Sequence, residues 1–590
     1  MSPANRLRVK LATLLLALAV VAGWAEETPP RFRAMYEDAM VFETALAAES
    51  APPPAGHRVT GITVPHHLVA VDLIARGFRC ASGGSYERII LLSPDHFRRS
   101  RLPFATTRGI FETVFGDVAC DEPAIQSLLA ACPKAGESGL FAKEHGVHAV
   151  LPFVARFFPQ ARIVPIALRI ESKREDWLAL VDALAPLVNS KTLVVQSTDF
   201  SHYLDLGKAR RCDQQTMNAL ALGDPEAIAG LHQPHHLDSK AAQFVQMALQ
   251  RRVHDASPVV IANRNSQAYT RFRQEQTTSY LVQVYEPDHP PPAIWPPGPR
   301  ESIWFFAGDA FFGRGVASML AEPRRAEAVR QEVMRITQGH PLAVNLEGVI
   351  VTSLPDRKRV KRALLMEKEF TLSWLKALNV KLAGLANNHA LDGGEKGLAE
   401  TVDALSAEGI MVVREGEVID AGPFRLLALT DISNASRPHT GRITQERIAR
   451  LPRAEWDARS LFALLHWGTE FRREATPRQI ELMNCLAESP VVAIFGAHPH
   501  VDSGGPELWR GGDGLVCRSL GNFLFDQRHG SGAMAEVRFF EDKTFSVRWV
   551  CLGNLLRATP APLAMDPQPH SLPSRNDCAG RESASGSAAR

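Results

Sequence analysis

The chain has 590 residues, a formal net charge of +2 and 45% hydrophobic residues. That length exceeds one ordinary hydrophobic core and asks for at least two domains. The near balance of charge gives no argument for a nucleic-acid partner or a basic membrane-surface protein.

In chain order, Arg6, Arg8 and Lys10 precede an apolar stretch over 11–22 and then Gly23-Trp24-Ala25. This is the layout of a secretory signal peptide over 1–25, cleaved near Ala25, which makes the protein exported and periplasmic or extracytoplasmic. An uncleaved N-terminal anchor that tethers it to the membrane is the alternative. The apolar run is about half the roughly 20 residues that span a bilayer, and no later segment has the required length. The eight cysteines show no Cys-x-x-Cys spacing, which argues against a thiolate metal knot.

After an N-terminal extension over 26–56, short apolar runs at 59–64, 88–92, 162–168 and 192–196 alternate with helix-like segments. This pattern predicts an α/β domain over 57–285 with a mostly parallel sheet. A proline-rich linker over 286–300 cannot hold a helix or a central strand. A second α/β domain is expected over 301–556, with runs at 303–307, 342–344, 382–385, 461–465, 491–495 and 514–520, followed by a disordered tail over 557–590.

In a parallel sheet the carboxyl ends of neighbouring strands share one edge, where ligands bind. In the first domain those ends carry His66-His67, Ser93-Pro94-Asp95-His96 and Ser197-Thr198-Asp199-Phe200-Ser201-His202. His66, His96, Asp199 and His202 are therefore candidate metal ligands, and imidazole plus carboxylate suits iron, copper or zinc. Glu144-His145 is a further, less specific contributor. Arg98, Arg99 and Arg101 beside His96 could attract an anion or simply be solvated.

These motifs, with Leu151-Pro152-Phe153, resemble in order the MEMO-like family, also called AmmeMemoRadiSam system protein B. The resemblance implies a fold shared with class III extradiol dioxygenases and a site at His66, His96, Asp199 and His202 holding iron or copper. The chain departs from the family at 235–240, His-His-Leu-Asp-Ser-Lys, where a Cys-Gly pair is usual. A ligand-binding module without redox chemistry is the other reading of this half.

The second domain carries Gly308-Asp309, Asn345-Leu346-Glu347-Gly348, Asn387-Asn388-His389 with Asp392-Gly393-Gly394, His466-Trp467-Gly468, His498-Pro499-His500 and Ser519-Leu520-Gly521-Asn522-Phe523. Carboxylates, an amide carbonyl and imidazoles together fit manganese, iron or zinc better than calcium. A two-metal phosphoryl site needs such a set, since a shared carboxylate must bridge ions about 4 Å apart. His498-Pro499-His500 reads as an extended segment, whose alternate side chains put both histidines on one side, toward a common ion. Asn387 and Asn522 read as turn formers or caps.

These motifs, with Arg314, Thr469-Glu470 and Val501, closely resemble the CapA family of capsule or poly-γ-glutamate synthesis proteins, within the calcineurin-like metallophosphatase superfamily. The resemblance implies metal ligands at Asp309, Glu347, Asn388, His466, His498 and His500. It also implies His389 as a proton donor to a leaving group and Arg314 as an anion clamp. The Asp-x-His opening of metallophosphatases is absent, because Ala310 and Phe311 follow Asp309. Two functions follow: a metal-dependent hydrolase or transferase acting on a phosphoester or anionic envelope polymer, or a non-catalytic component of a membrane-bound synthesis or export complex.

Overall fold

A computed structural model describes residues 29–49, 57–287, 294–355, 363–433, 443–449, 460–527, 531–553 and 555–557. The expected signal peptide and the tail beyond residue 557 lie outside them. Among the described residues no helix is long and apolar enough to cross a membrane.

The first domain is built on a nine-stranded sheet. Its parallel centre consists of β1 (Gly61–Val64), β2 (Arg88–Pro94), β3 (Arg162–Leu168) and β4 (Thr192–Ser197) in the spatial order β1, β4, β2, β3. These strands are buried along nearly their whole length, as helices on both faces of a parallel sheet require. β5 (Ala256–Asn265) and β6 (Thr277–Pro287) extend the sheet antiparallel beside β1. The extension is part of this domain: α1 (Ala39–Ala48) buries Phe42, whose ring meets Phe153 edge-on at 5.6 Å.

The second domain stacks two sheets. The seven-stranded sheet contains β7 (Ser302–Ala310), β8 (Leu342–Leu346) and β9 (Val380–Gly384), all parallel. The six-stranded sheet contains β10 (Arg425–Thr430), β11 (Leu461–His466), β12 (Val491–Ala497) and β13 (Gly514–Cys517), also parallel. Side chains alternate between layers. Phe306, Phe462 and Leu464 enter the core between the sheets, while Phe305, Leu461 and Leu465 enter two outer cores. Phe306 stacks on Phe495 at 4.2 Å between ring centres, so the middle layer is aromatic and tightly specified.

The expected single strand over 514–520 is two pieces. β13 ends at Cys517, the backbone crosses from one sheet to the other, and β14 (Asn522–Leu524) pairs with β7. In that crossing Leu520 N donates to Gly496 O at 2.8 Å and Asp309 N donates to Gly521 O at 2.9 Å. Gly308 and Gly496 permit it, because a Cβ there would lie 1.9 Å from Gly521 O and 1.8 Å from Arg518 O.

β15 (Gly532–Phe539), antiparallel to β7, and β16 (Phe545–Gly553), antiparallel to β15, complete the seven-stranded sheet. On these strands Glu536, Arg538, Ser546 and Arg548 alternate with apolar residues, the pattern of a sheet with one wet face. The first domain covers that face: Arg538 is 1% exposed and donates to the Trp295 carbonyl at 2.6 Å, and Glu536 pairs with Arg548. The linker is drawn in as well, since Trp295 packs in the first core and Ile294 in the second.

The other half of the seam is α2 (Leu206–Ala221). Gln214 brackets the Phe545 backbone, accepting from its N–H at 2.9 Å and donating to its carbonyl at 2.9 Å. Asn218 donates to the Gly512 carbonyl at 2.8 Å, and Gln215 donates to Asp513 at 2.7 Å. Gln214→Ala leaves both Phe545 groups unpaired in a covered seam and costs about 1–3 kcal/mol. Calorimetry should show the domains melting in more separated transitions than in the parent protein.

α2 also buries Asp213, which accepts from Ser279 Oγ at 2.6 Å. Burial pushes its carboxyl up to about 7 from an ordinary 3.8, and Asp542 across the seam adds to the rise. The folded chain therefore holds a proton that the unfolded chain has lost between about pH 4 and 7. Stability from this group falls as pH rises through that window, by no more than about 4 kcal/mol. Relative to the parent, Asp213→Asn should gain stability in urea unfolding at pH 8 compared with pH 4.

Candidate metal centres

In the second domain, the ligand-type residues come from both sheets and meet at one edge. Asp309 ends β7, Glu347 follows β8, and Asn388 and His389 follow β9; His466 ends β11, and His498 and His500 follow β12. Asp309, Glu347 and His500 place ligand atoms within 4.8 Å of one another, and so do Glu470, His498 and His500. Asn388 and His466 adjoin them: His466 Nε2 lies 2.8 Å from Asn388 Oδ1, and the His466 and His498 rings are 4.8 Å apart.

The His498-Pro499-His500 segment is not extended. Both histidines have left-handed backbones, with φ of 95° for His498 and 58° for His500, so their convergence comes from a strained loop rather than strand alternation. Asp309 holds that loop, accepting from His498 N at 3.0 Å, while its Oδ2 lies 3.2 Å from His500 Nδ1. Asn345 donates to Asp309 Oδ1 at 2.7 Å and to His466 Nδ1 at 3.1 Å, orienting two ligands at once.

Asn522 is more than a turn former, for its Oδ1 sits 2.8 Å from His500 Nδ1. Asn387 does shape its loop, accepting from His389 N at 3.1 Å and donating to the Leu346 carbonyl at 2.9 Å. Arg314 stands outside the cluster, 3.0 Å from Asp526 Oδ1 and over the Phe311 ring. Phe311 is fully buried in the outer core, so an apolar ring occupies the stretch where metallophosphatases carry their Asp-x-His histidine.

Electrostatics match this geometry. Burial opposes ionisation of Asp309, yet the His500 hydrogen bond and nearby imidazoles hold it down at about 2. Burial, reinforced by Asp309, pushes Glu347 up to about 7. Burial also lowers His466 far below its usual value and His498 to about 4, so both keep a lone pair free at neutral pH. Glu347 Oε2 and His498 Nδ1 are buried without a hydrogen-bond partner. Unsatisfied buried donors and acceptors of this kind fit a cation as the missing neighbour.

Glu470 and Asp392 both stand inside the motifs read from the sequence, which gave neither of them a role. Glu470 sits in the His466-Trp467-Gly468-Thr469-Glu470 motif, whose histidine drew the attention, and Asp392 lies 2.7 Å from His389 Nδ1.

In the first domain, His66, His96 and His145 place ring nitrogens within 4.8 Å of one another. His145 thus joins His66 and His96, while His202, whose Nδ1 is engaged by the Phe200 carbonyl, is not one of these three. Asp199 adjoins the cluster but spends Oδ1 on His66 N at 3.0 Å, its Oδ2 lying 3.7 Å from His66 Nε2. His67 turns away to the Tyr280 hydroxyl at 2.7 Å. Buried Asp95 accepts from Arg99 N at 3.1 Å and Ser100 N at 2.8 Å and so shapes the loop that carries His96.

Residues 34–284 match the family described as Memo-like protein, and residues 304–421 and 425–527 match the bacterial capsule synthesis protein family PGA_cap. The PGA biosynthesis protein CapA of Bacillus subtilis is 26% identical over 287 residues, covering 44% of this chain and 73% of that protein. The capsule biosynthesis protein CapA of Bacillus anthracis is 24% identical over 285 residues, covering 43% of this chain and 68% of its own length. A MEMO1 family protein of Thermotoga maritima is 29% identical over 176 residues, covering 28% of this chain and 62% of the relative. The chain is an α/β protein that joins a Memo-like domain to a PGA_cap capsule-synthesis domain.

Proposed function

We propose that this protein acts in capsule or poly-γ-glutamate-like polymer synthesis through a metal-dependent phosphoesterase-type site in its PGA_cap domain. The observation that carries the reading is the buried convergence of Asp309, Glu347 and His500 beside two orphaned ligand atoms, Glu347 Oε2 and His498 Nδ1. The names of the Bacillus relatives support the polymer, and the basic and apolar residues before Ala25 support export.

Asp309, Glu347, Asn388, His466, His498 and His500 would hold manganese, iron or zinc. When bound, such an ion supplies Lewis acidity toward a phosphoryl oxygen and lowers the pKa of water. His389 supplies the proton. Burial opposes its charge, but Asp392 at 2.7 Å and Glu347 at 3.7 Å raise its pKa above the ordinary imidazole value, which favours the protonated form that can protonate a leaving oxygen. Arg314, 42% exposed, is available at the rim to attract an anionic chain. The buried Phe311 favours a second reading, in which the domain binds polymer or a synthesis complex without turnover.

Metal analysis of the purified full chain, with hydrolysis of bis-p-nitrophenyl phosphate, tests the choice. The expected result is bound transition metal and turnover, with Asp309→Asn and His498→Ala each losing metal and at least about 100-fold in rate. A metal-loaded protein that binds anionic polymer but shows no turnover would establish the second reading instead.

His389→Ala should keep its metal and lose about 100-fold or more in kcat. In the parent, kcat should fall on the alkaline side as His389 gives up its proton, and a pH profile of the variant should lack that limb.

A further inference from the structure

The first domain contains a carboxylate that the motifs at its strand ends did not reveal. Asp238 lies just before α3 (Lys240–His254), in a loop tied down by Asp238 N donating to the Asp199 carbonyl at 3.1 Å and Asp199 N donating to Asp238 Oδ2 at 3.2 Å. That same Oδ2 is 3.3 Å from His66 Nε2 and 3.7 Å from His96 Nε2. Asp238 Oδ1 is buried and has no hydrogen-bond partner.

Each histidine turns its other nitrogen to the protein. His96 Nδ1 is 2.5 Å from Glu144 Oε1, and Glu144 also accepts from His96 N and Gly146 N at 3.1 Å. His66 Nδ1 faces Ser197 Oγ at 3.4 Å. An imidazole anchored through Nδ1 with Nε2 aimed at a common point is how proteins orient metal-binding histidines, and a buried carboxylate behind one of them raises its basicity. His145, its ring 4.0 Å from that of His96, closes one side of the cluster.

We propose that His66, His96 and Asp238 form a two-histidine, one-carboxylate site for a divalent ion of the manganese(II) or iron(II) type, with Glu144 and Asp199 as positioning residues. The donor set decides the class of ion. Imidazole nitrogen and carboxylate oxygen suit hard and borderline divalent ions, whereas a soft ion such as copper(I) wants a thiolate. Among the described residues no cysteine joins a candidate metal group. Asp238 occupies the stretch before a late helix where the MEMO-like resemblance led us to expect a cysteine, so this copy has an oxygen ligand where sulfur is usual.

The test uses the full chain carrying Asp309→Asn and His498→Ala, so that failure of the PGA_cap site leaves the result readable. Manganese(II) is titrated by the loss of its free-ion electron paramagnetic resonance signal, and copper(I) by competition with a chromophoric chelator. One manganese(II) equivalent should remain in this background. Asp238→Asn, nearly isosteric, should weaken it by about 100-fold, and Glu144→Gln by about 10-fold. Asp238→Cys should weaken manganese(II) and raise copper(I) affinity at least about tenfold. The proposal fails if the folded background protein takes up no manganese(II), if Asp238→Asn binds it within about threefold of that protein, or if Asp238→Cys leaves copper(I) affinity unchanged. Far-ultraviolet circular dichroism verifies folding of each variant.

Discussion

The aromatic layer between the two sheets of the PGA_cap domain is the constraint on which its site depends. Phe306, Phe424, Phe462, Phe495 and Phe539 interlock there, so neither sheet can slide without opening a void. Loss of one such ring costs about 3–5 kcal/mol. The ligands divide between the sheets: Asp309, Glu347 and Asn388 come from one, His466, His498 and His500 from the other. A shift of one sheet by a fraction of a residue would separate Asp309 from the His498 N–H that it accepts at 3.0 Å. The glycine-lined crossing at 518–522 locks the same register through the backbone, since it hydrogen-bonds to both Gly496 and Asp309.

Both domains solve the same electrostatic problem. Each gathers carboxylates and imidazoles at the carboxyl edge of a parallel sheet, away from water, and each leaves an acidic oxygen there unpaired: Glu347 Oε2 in one, Asp238 Oδ1 in the other. Burying like charges is costly, and it appears in the acids themselves. Burial and Asp309 push Glu347 to about 7, while burial and Asp238 push Asp199 to about 8. A bound cation would relieve both. The sites differ in how their histidines are held, by a strained loop in the PGA_cap domain and by Glu144 and Ser197 in the Memo-like domain.

The seam makes the pair of domains one construction. Arg538, Glu536 and Arg548 lie on strands whose polar and apolar residues alternate, the pattern of a sheet with one wet face. The Memo-like domain covers that face instead, and the same pattern explains why β5, β6, β15 and β16 did not stand out as apolar runs. His236 Nε2, two residues before Asp238, lies 2.8 Å from Gln215 Oε1, and Gln215 in turn donates to Asp513, which precedes β13. The loop that carries Asp238 is thereby tied to the other domain.

Sequence by itself determined the central parallel strands, the order of the motifs and the family of each half, because buried strands are written as apolar runs and polar residues at their carboxyl ends have few structural reasons to be there. It also identified Asp309, Glu347, His466, His498, His500, His66 and His96 as residues that would gather. Tertiary structure alone decided which further groups join them. His145 joins His66 and His96, Asn522 orients His500, and Glu470 and Asp238 reach ligand distance from loops that carry no apolar signature. Periodicity reports whether a residue faces a core, not which distant loop it will meet; Asp309 and His498 are 189 positions apart, and only the packing of two sheets brings them together.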